Sequence, residues 1–248
     1  MVKIALIGYG KMGRMIKQLA EEKGHQIVAI IDPNCENTIK NITKETLKDA
    51  DVCIEFTHPD CVIENITRIA ELGKNIVIGT TGWYDKMDEV KSIIEKNNIG
   101  AIWSGNFSIG VNAFFRIVEQ AAKVFNKLED YDSLVHEIHH KNKADSPSGT
   151  ASMIGDIMIN NLDRKDTIIT EKLDRKPEPN ELHVSSSRIG NIPGTHTVTF
   201  DSQADTIELK HTARTREGFA SGAILAAEFI KNKKGLLSID DLMKNIIK

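Results

Sequence analysis

Apolar runs of strand length alternate with segments of helical period in the first part of the chain. Residues 2–7 and 25–31 form two such runs, and the apolar positions between them recur at helical spacing. Further strands are predicted at residues 51–57, 75–78 and 99–103, and helices at about 59–72 and 86–96. Strands and helices that alternate with short turns predict an α/β domain built on a doubly wound parallel sheet.

The pattern changes after Gly110. A long amphipathic helix, residues 111–125, is followed by a strand at 131–138 and by a helix that begins at Pro147. The remaining elements are predicted strands at 181–187, 195–200 and 206–212, a helix at 219–230 and a terminal helix from Ser238. We predict a second, α+β domain with an open mixed sheet over residues 107–216, and a first domain formed by residues 1–106 and 217–248.

A glycine-rich turn joins the first strand to the first helix. Its residues are Gly8, Tyr9, Gly10, Lys11, Met12 and Gly13. Glycines at this spacing permit a tight turn and a close approach of the backbone to a pyrophosphate, which the helix N-terminus attracts. Asp32 ends the second strand, where a carboxylate can accept hydrogen bonds from a ribose. The order of strand, glycine turn, helix, strand and acid predicts a Rossmann-type dinucleotide site.

The cofactor is predicted to be NADH, NADPH or both. Pro33 follows Asp32, and no arginine stands beside it to neutralise a 2′-phosphate, which mildly favours NADH. Lys11 or Lys40 could still reach that phosphate, so both cofactors stay open. Ligands of such sheets bind where the strands end. Further cofactor contacts are therefore predicted at Gly79, Thr80 and Thr81, and at Ser104, Gly105, Asn106 and Phe107.

The stretch from Glu137 to Thr150 concentrates polar groups between an apolar strand and an apolar helix. It contains His139, His140 and Lys143, and at the predicted helix start it has Ser148, Gly149 and Thr150. Unpaired amides at a helix N-terminus, together with an ammonium group, are suited to bind a carboxylate. Adjacent residues on a strand face opposite sides, so both histidines can serve one site only if the strand ends there.

Each of these groups also has a simpler interpretation. A serine at a helix start is most often a cap, a histidine at a strand end is often solvated, and a lysine in a loop usually lies on the surface. Their concentration in one stretch beside a dinucleotide fold favours a functional site. A metal site formed by His139, His140 and Asp145 is a weaker alternative, because lysines flank it, and we predict no metal.

Composition narrows the classes of partner. A net charge of −3 and a pI of about 6.3 give no general positive field for nucleic acid or for an anionic membrane. No apolar run approaches the length of a membrane span. The three cysteines are odd in number and lack metal-binding spacing, so we interpret them as reduced. We therefore predict a cytoplasmic protein without nucleic-acid or membrane partners.

Motifs along the whole chain resemble the dihydrodipicolinate reductase family, which acts in the lysine and diaminopimelate pathway. The matching motifs are residues 8–13, 79–82, 106–112, 137–150, 188–196 and 211–219. The chain departs from the family pattern in two places. Ser104 and Gly105 replace a small apolar pair, and Ser146 replaces an alanine. Neither change removes a reactive group.

The resemblance implies a homotetramer assembled through the second sheet. It also implies NADH or NADPH as hydride donor to a small cyclic imine dicarboxylate, with 4-hydroxy-tetrahydrodipicolinate reduced to tetrahydrodipicolinate and water lost. By position, His139 matches the family's proton donor and Lys143 its second catalytic residue. The positions that match substrate contacts are His140, Lys143, Gly149 and Thr150, to which we add Ser148 from its place at the helix start.

Two other functions stay open from the sequence. A different two-domain NAD(P) reductase, such as an imine or amino-acid dehydrogenase, does not account for the anion pocket after a double histidine. A catalytically silent NAD-sensing protein would be expected to lose His139 or Lys143 before it lost the glycine turn, and the chain has both residues.

Overall fold

The chain folds into two compact units. A computed structural model describes residues 1–247. One unit consists of Met1–Asn112 together with the segment that begins at Glu217, and the other consists of Ala113–Arg216. The first boundary lies a short way beyond residue 106. The Asn112 side-chain amide donates a hydrogen bond to the Asn106 backbone oxygen (2.7 Å), which ties the intervening residues to the first unit.

Strands and helices of the first unit alternate as predicted, although the short helix at residues 44–47 was not predicted. The strands are β1 (Lys3–Ile7), β2 (Gln26–Ile31), β3 (Val52–Glu55), β4 (Asn75–Ile78), β5 (Gly100–Trp103), β6 (Asp132–His139), β7 (Thr167–Ile169), β8 (Glu181–Arg188), β9 (Thr195–Asp201), β10 (Thr206–Thr212) and β11 (Gly235–Ser238). The helices are α1 (Lys11–Glu22), α2 (Lys44–Leu47), α3 (Pro59–Glu71), α4 (Met87–Lys96), α5 (Ile109–Phe125), α6 (Gly149–Ile159), α7 (Glu217–Ile230) and α8 (Ile239–Ile246). Within the part of the chain that the structure describes, no helix has the length and apolar character needed to cross a membrane.

The sheet of the first unit is parallel throughout. Its strand order is β11-β5-β4-β3-β1-β2. β3 and β4 are buried along their whole length, as expected for strands covered by helices on both faces. The chain moves from β1 to β2 on one side and from β3 to β5 on the other, so the winding reverses beside β1. The predicted α/β class and Rossmann-type parallel sheet are confirmed, and this reversal marks where such sheets bind ligands.

The edge strand β11 has no counterpart among the sequence-based predictions. It pairs in parallel with β5, and its residues are only half-buried. Two leucines between Gly235 and Ser238 are too few to show a strand period. The helix start predicted at Ser238 is confirmed, because its hydroxyl accepts a hydrogen bond from the Asp240 amide (3.2 Å) while the Asp241 carboxylate accepts one from the Ser238 amide (2.9 Å).

The sheet of the second unit is mixed, as predicted. Its strand order is β10-β9-β6-β8-β7, and the central strand β6 runs antiparallel to β9 and parallel to β8. Burial alternates along β6, so Val135, Glu137 and His139 share the buried face. The short strand β7 was not predicted, because three residues at the sheet edge are too few for a recognisable pattern.

We predict that Gly13 and Gly10 differ in what they contribute to folding. A Cβ at Gly13 would lie 2.3 Å from the Gly8 carbonyl oxygen, whereas a Cβ at Gly10 would meet nothing within 4 Å. Gly13→Ala should therefore destabilise the protein by about 1–3 kcal/mol through overpacking. Gly10→Ala, the matched control, should stay within about 0.5 kcal/mol of wild type. The measurement is urea unfolding without cofactor, and equal losses in the two variants would contradict this assignment.

Candidate active site

The glycine turn at the end of β1 leaves its helix N-terminus uncovered. Gly8 has a φ of +95°, and a Cβ there would lie 2.1 Å from the Phe56 carbonyl oxygen, so only glycine fits. Gly13 packs its Cα against the Gly8 carbonyl, which brings α1 close to the strand. Gly10 caps α1 without a side chain and faces open space. This is the geometry that admits a pyrophosphate to the first amides of a helix.

Asp32 lies beside the turn, as its place after β2 predicts. Its Oδ2 accepts a hydrogen bond from the Tyr9 amide and its Oδ1 accepts one from the Asn34 amide, both at 2.8 Å. A cavity of about 510 Å³ opens here. It is lined by Ile7, Gly8, Gly10, Ile31, Asp32, Pro33, Asn34, Lys40, Asn41, Ile42, Phe56, Thr57, His58, Cys61, Glu64, Asn65 and Arg68. The cavity, its acid and its glycine wall suit the adenosine half of a dinucleotide.

A second cavity, of about 390 Å³, lies on the other side of the same turn. It is lined by Gly10, Lys11, Met12, Phe56, Thr57, Pro59, Gly79, Thr80 and Thr81. The Thr57 amide donates a hydrogen bond to the Thr80 hydroxyl (2.7 Å), which joins the ends of β3 and β4. The sequence-predicted residues of the glycine turn and of the Gly79 loop are thus brought together around one continuous edge of the sheet.

A buried glutamate forms hydrogen bonds with residues at this edge of the sheet. Glu55 is fully buried, and it accepts hydrogen bonds from the Thr57 hydroxyl and, at 3.4 Å, from the Asn65 amide. Burial raises the pKa of Glu55, although these bonds and those of Thr80 act in the opposite direction. The side chain orders the two threonines that line the cavity.

The predicted contacts after β5 are placed differently. Ser104, Asn106 and Phe107 are buried, and they line neither of the two cavities. The Ser104 hydroxyl donates to the Asn106 backbone oxygen (2.7 Å), which closes a tight turn around Gly105. Phe107 packs against Phe56, with ring centroids 6.3 Å apart. The polar groups of Ser104 and Asn106 therefore stabilise the turn itself.

In the second unit, the strand β6 ends at His139. His139 is buried, with 7% of the residue exposed, and its backbone oxygen accepts a hydrogen bond from the Ile189 amide (2.9 Å). His140 follows the end of the strand, so the alternation of strand faces no longer fixes its direction. The condition under which both histidines can serve one site is therefore met.

The helix α6 begins beside this strand end. Ser148 is its N-cap, with the Ser148 hydroxyl accepting a hydrogen bond from the Ala151 amide (3.2 Å). Gly149 and Thr150 form the first turn, and a Cβ at Gly149 would meet nothing within 4 Å. The first turn thus combines backbone amides with free space, which is the arrangement an anion requires.

Lys143, which was predicted from the sequence as a site residue, lies in the loop between β6 and α6. The Lys143 ammonium forms an ion pair with the Asp145 carboxylate at 2.8 Å, and this ion pair holds the pKa of Asp145 below its usual range. The Arg188 guanidinium donates to the Asp145 backbone oxygen (2.6 Å) and to Glu137 Oε1 (3.0 Å). The loop is therefore anchored to β8 through one arginine.

Glu137 has no exposed surface and contacts groups on β6, on β8 and at the start of α6. Its Oε1 also accepts a hydrogen bond from the Ser148 amide (3.1 Å), and its Oε2 contacts His139 Nδ1. Burial alone would raise the pKa of Glu137, but hydrogen bonds and the neighbouring positive charges outweigh it and lower the pKa. Burial is also the main reason that the pKa of His139 is lowered, with Glu137 opposing and Lys143 reinforcing the shift.

A third imidazole completes the cluster. His196, on β9, is 5% exposed, and its Nε2 lies 3.2 Å from the Ser148 hydroxyl. Burial and the nearby His139 lower its pKa to about 4. Donor atoms of Glu137, His139 and His196 lie within 4.8 Å of one another, so the group with metal-ligand spacing differs from the one weighed in the sequence. The adjacent Arg188 and Lys143 charges oppose a further cation there.

Several residues of these two sites carried no sequence-based prediction. In the first unit they include Asn34, Asn41, Phe56 and Arg68, and in the second Glu137, Arg188, Gly194 and His196. Glu137 could have been found, because a residue two positions before His139 shares its strand face. Local spacing gives no signal for the others, most of which lie in loops or on a helix. Arg188, Gly194 and His196 fall within the family motif at residues 188–196, which was not divided into single site residues.

Comparison with known proteins agrees with this geometry. A family model described as dihydrodipicolinate reductase, N-terminus, matches residues 2–107, and one described as dihydrodipicolinate reductase, C-terminus, matches residues 110–243. A 4-hydroxy-tetrahydrodipicolinate reductase of Christiangramia forsetii is 38% identical over 247 residues, which make up 100% of each chain. One of Methanococcus aeolicus is 36% identical over 263 residues, with 94% of each chain covered.

A solved structure shows the same fold. The dipicolinate-bound dihydrodipicolinate reductase from Paenisporosarcina sp. TG-14 superposes with a TM-score of 0.77 and 23% identity, and 96% of this chain and 97% of that chain are covered. The two family models together span both units of the chain, and the relatives match it from end to end. The chain therefore belongs to the dihydrodipicolinate reductase family.

Proposed function

We propose that the protein reduces 4-hydroxy-tetrahydrodipicolinate to tetrahydrodipicolinate with NADH or NADPH and with loss of water, in lysine and diaminopimelate biosynthesis. The full-length relative with 38% identity carries this proposal. The two sites support it, because one has the glycine turn and acid of a dinucleotide site while the other sets a buried imidazole beside an anion-binding helix start.

The first unit binds the dinucleotide in this proposal. The amides that follow Gly10 hold the pyrophosphate, and Asp32 accepts hydrogen bonds from the adenosine ribose. Loss of water from the 4-hydroxy substrate leaves a conjugated imine, and the cofactor, when bound, would supply the hydride that reduces its C4. Thr80 and Thr81 suit the nicotinamide end, since both line the cavity on the far side of the glycine turn.

The second unit binds the substrate and supplies the proton. One carboxylate is held by the amides of Gly149 and Thr150 at the start of α6, and Lys143 adds a full positive charge. Reduction at C4 leaves an enamine that needs a proton at C3. His139 gives up that proton from its imidazole and regains one from solvent before the next turnover. The substrate's negative charges raise the pKa of His139 on binding, which favours the protonated form.

Assembly and location follow the family pattern in our proposal. We infer a homotetramer formed through the sheet of the second unit, whose edge strand β10 is largely exposed and carries Ile207 at 41% exposure. We place the protein in the cytoplasm, because Cys35, Cys53 and Cys61 are all free thiols, as expected for a reducing compartment.

The rival functions have less support. An imine or amino-acid dehydrogenase of another family would not be expected to match both dihydrodipicolinate reductase models over nearly the whole chain. A silent NAD-binding protein has no use for a buried imidazole that contacts a buried carboxylate. Glu137 and His139 form such a pair.

We predict that His139→Gln lowers kcat by about 10²-fold, because the enamine loses its proton donor. The dissociation constant of NADH should stay near the wild-type value, since His139 belongs to the second unit. The measurement is loss of nicotinamide absorbance in an assay coupled to the synthase that makes the hydroxy-imine. Cofactor affinity is measured separately by titration calorimetry.

The matched control for this variant is His136→Gln. His136 lies on the same strand, and its Nδ1 is 2.7 Å from the Ser185 hydroxyl, a contact that a glutamine amide can replace. This control should keep wild-type kcat. Wild-type turnover in His139→Gln would refute the proposed role of His139.

Lys143→Ala is predicted to raise KM for the substrate and to lower kcat, each by about 10-fold or more, because a charge-assisted contact to a carboxylate is lost. Asp145, its partner, is mostly exposed, so the variant leaves no buried unpaired charge. Lys141→Ala removes an exposed ammonium two positions away and serves as the control. Steady-state kinetics at saturating NADH decide the matter, and an unchanged KM would count against a carboxylate contact.

We expect NADH to bind more tightly than NADPH, because the Asp32 carboxylate repels a 2′-phosphate. Asp32→Asn should narrow the ratio of the two dissociation constants by removing the charge. Calorimetric titration of both cofactors measures that ratio. Tighter binding of NADPH to the wild type, abolished in Lys40→Ala, would instead assign the 2′-phosphate to Lys40, which lines the same cavity.

A further inference from the structure

The two oxygens of Glu137 have different partners. Oε1 accepts hydrogen bonds from the Ser148 amide (3.1 Å) and from the Arg188 guanidinium (3.0 Å). Oε2 contacts His139 Nδ1, and the neighbouring Ser186 hydroxyl is a further hydrogen-bond partner of the carboxylate. Because two donors fix Oε1, the carboxylate cannot rotate without losing both bonds, and Oε2 stays directed at the imidazole.

The other ring nitrogen of His139, Nε2, lies beside Gly194, which has no side chain. A Cβ at Gly194 would lie 2.8 Å from His139 Nε2, and Gly194 has a φ of +155°. Glycine at this position therefore leaves room for the Nε2 edge of the ring. A carboxylate thus contacts the imidazole at Nδ1, and no side chain projects from position 194 towards Nε2.

From this geometry we propose that Glu137 is a positioning residue, which retains the Nδ1 proton of His139 so that Nε2 is the nitrogen that protonates the substrate. The proposal rests on the proposed role of His139 as proton donor. In the step, the Nε2–H bond breaks, its electron pair stays on the ring, and a C–H bond forms at C3. The neutral imidazole that remains keeps its proton on Nδ1, towards Glu137.

The negative charge of Glu137 also opposes the effect of nearby cations on the pKa of His139. The groups that face His139 are Glu137 on its own strand, Lys143 on the following loop, Arg188 on β8 and His196 on β9. Glu137 raises the pKa of His139, whereas burial and the two cations lower it. A proton donor is active below its pKa and loses activity as pH rises through it. Loss of the Glu137 charge should therefore shift that decline in activity to lower pH.

Glu137→Gln separates orientation from mere packing. Arg188 and the Ser148 amide are both donors at Oε1, so the glutamine oxygen takes that place and its NH₂ faces His139 Nδ1. The NH₂ group requires an acceptor, which forces the neutral imidazole to carry its proton on Nε2. The variant should thus reverse the tautomer while it keeps the shape of the side chain.

The test combines kinetics with nitrogen NMR of protein labelled with ¹⁵N-histidine, the His139 signals being assigned by their loss in His139→Gln. For Glu137→Gln we expect a kcat lower by about 10²-fold, little change in KM, and a declining pH limb moved to lower pH. The neutral His139 should change from the Nδ1–H to the Nε2–H tautomer. Glu137→Asp retains the charge and should restore part of kcat.

Glu181→Gln provides a matched control. Glu181 lies at the other end of β8, and its paired Arg175, which donates to it at 2.6 and 2.9 Å, lowers its pKa to about 2. The substitution removes the charge of one Glu–Arg pair, and we expect no change in the His139 tautomer or in the pH profile. Urea unfolding verifies that each variant is folded.

An unchanged His139 tautomer together with an unchanged pH profile in folded Glu137→Gln would overturn the proposal. Glu137→Asp, tested by the same two readouts, decides the matter if Glu137→Gln does not fold. Here an Nδ1–H tautomer with partial activity supports the proposal, and an Nε2–H tautomer with full activity overturns it. Full turnover in His139→Gln would refute the proton-donor role alone, because the NMR result is independent of catalysis.

Discussion

The site of the second unit depends on one carboxylate that has no access to water. A buried charge is costly unless hydrogen bonds and opposite charge replace the solvent it lost. Glu137 meets that requirement with Arg188, with the amide of Ser148 and with the imidazole of His139. These partners come from β8, from the start of α6 and from the end of β6. Satisfying one charge therefore fixes three parts of the site at once.

The dinucleotide site of the first unit depends on missing side chains instead. The close contacts of Gly8 with Phe56 and of Gly13 with the Gly8 carbonyl leave no room for a Cβ at either position. Gly10 differs, because its free space faces a cavity and not the protein interior. Two of the three glycines serve the fold, and the third keeps the helix N-terminus accessible to a ligand.

Much of this could be predicted from the sequence, because periodicity and caps are local. The positions of most strands and helices, the cap at Ser148 and the place of Asp32 all follow from residues close together in the chain. The edge strands β7 and β11 did not, since so few residues carry no readable period. The loop after β5 follows the strand as predicted, but its residues line neither cavity, and the hydroxyl of Ser104 forms a hydrogen bond within its own turn.

The sequence by itself determined the elements, the glycine turn and the kinds of reactive group at the ends of the strands, since these depend on neighbouring residues. Only the tertiary structure decided which groups meet around His139. Glu137 and Arg188 are separated by 51 positions and become partners because β6 and β8 pair in parallel, with His139 opposite Arg188. Strand pairing joins residues that are far apart in the sequence, so no local pattern shows which charged groups will be buried together.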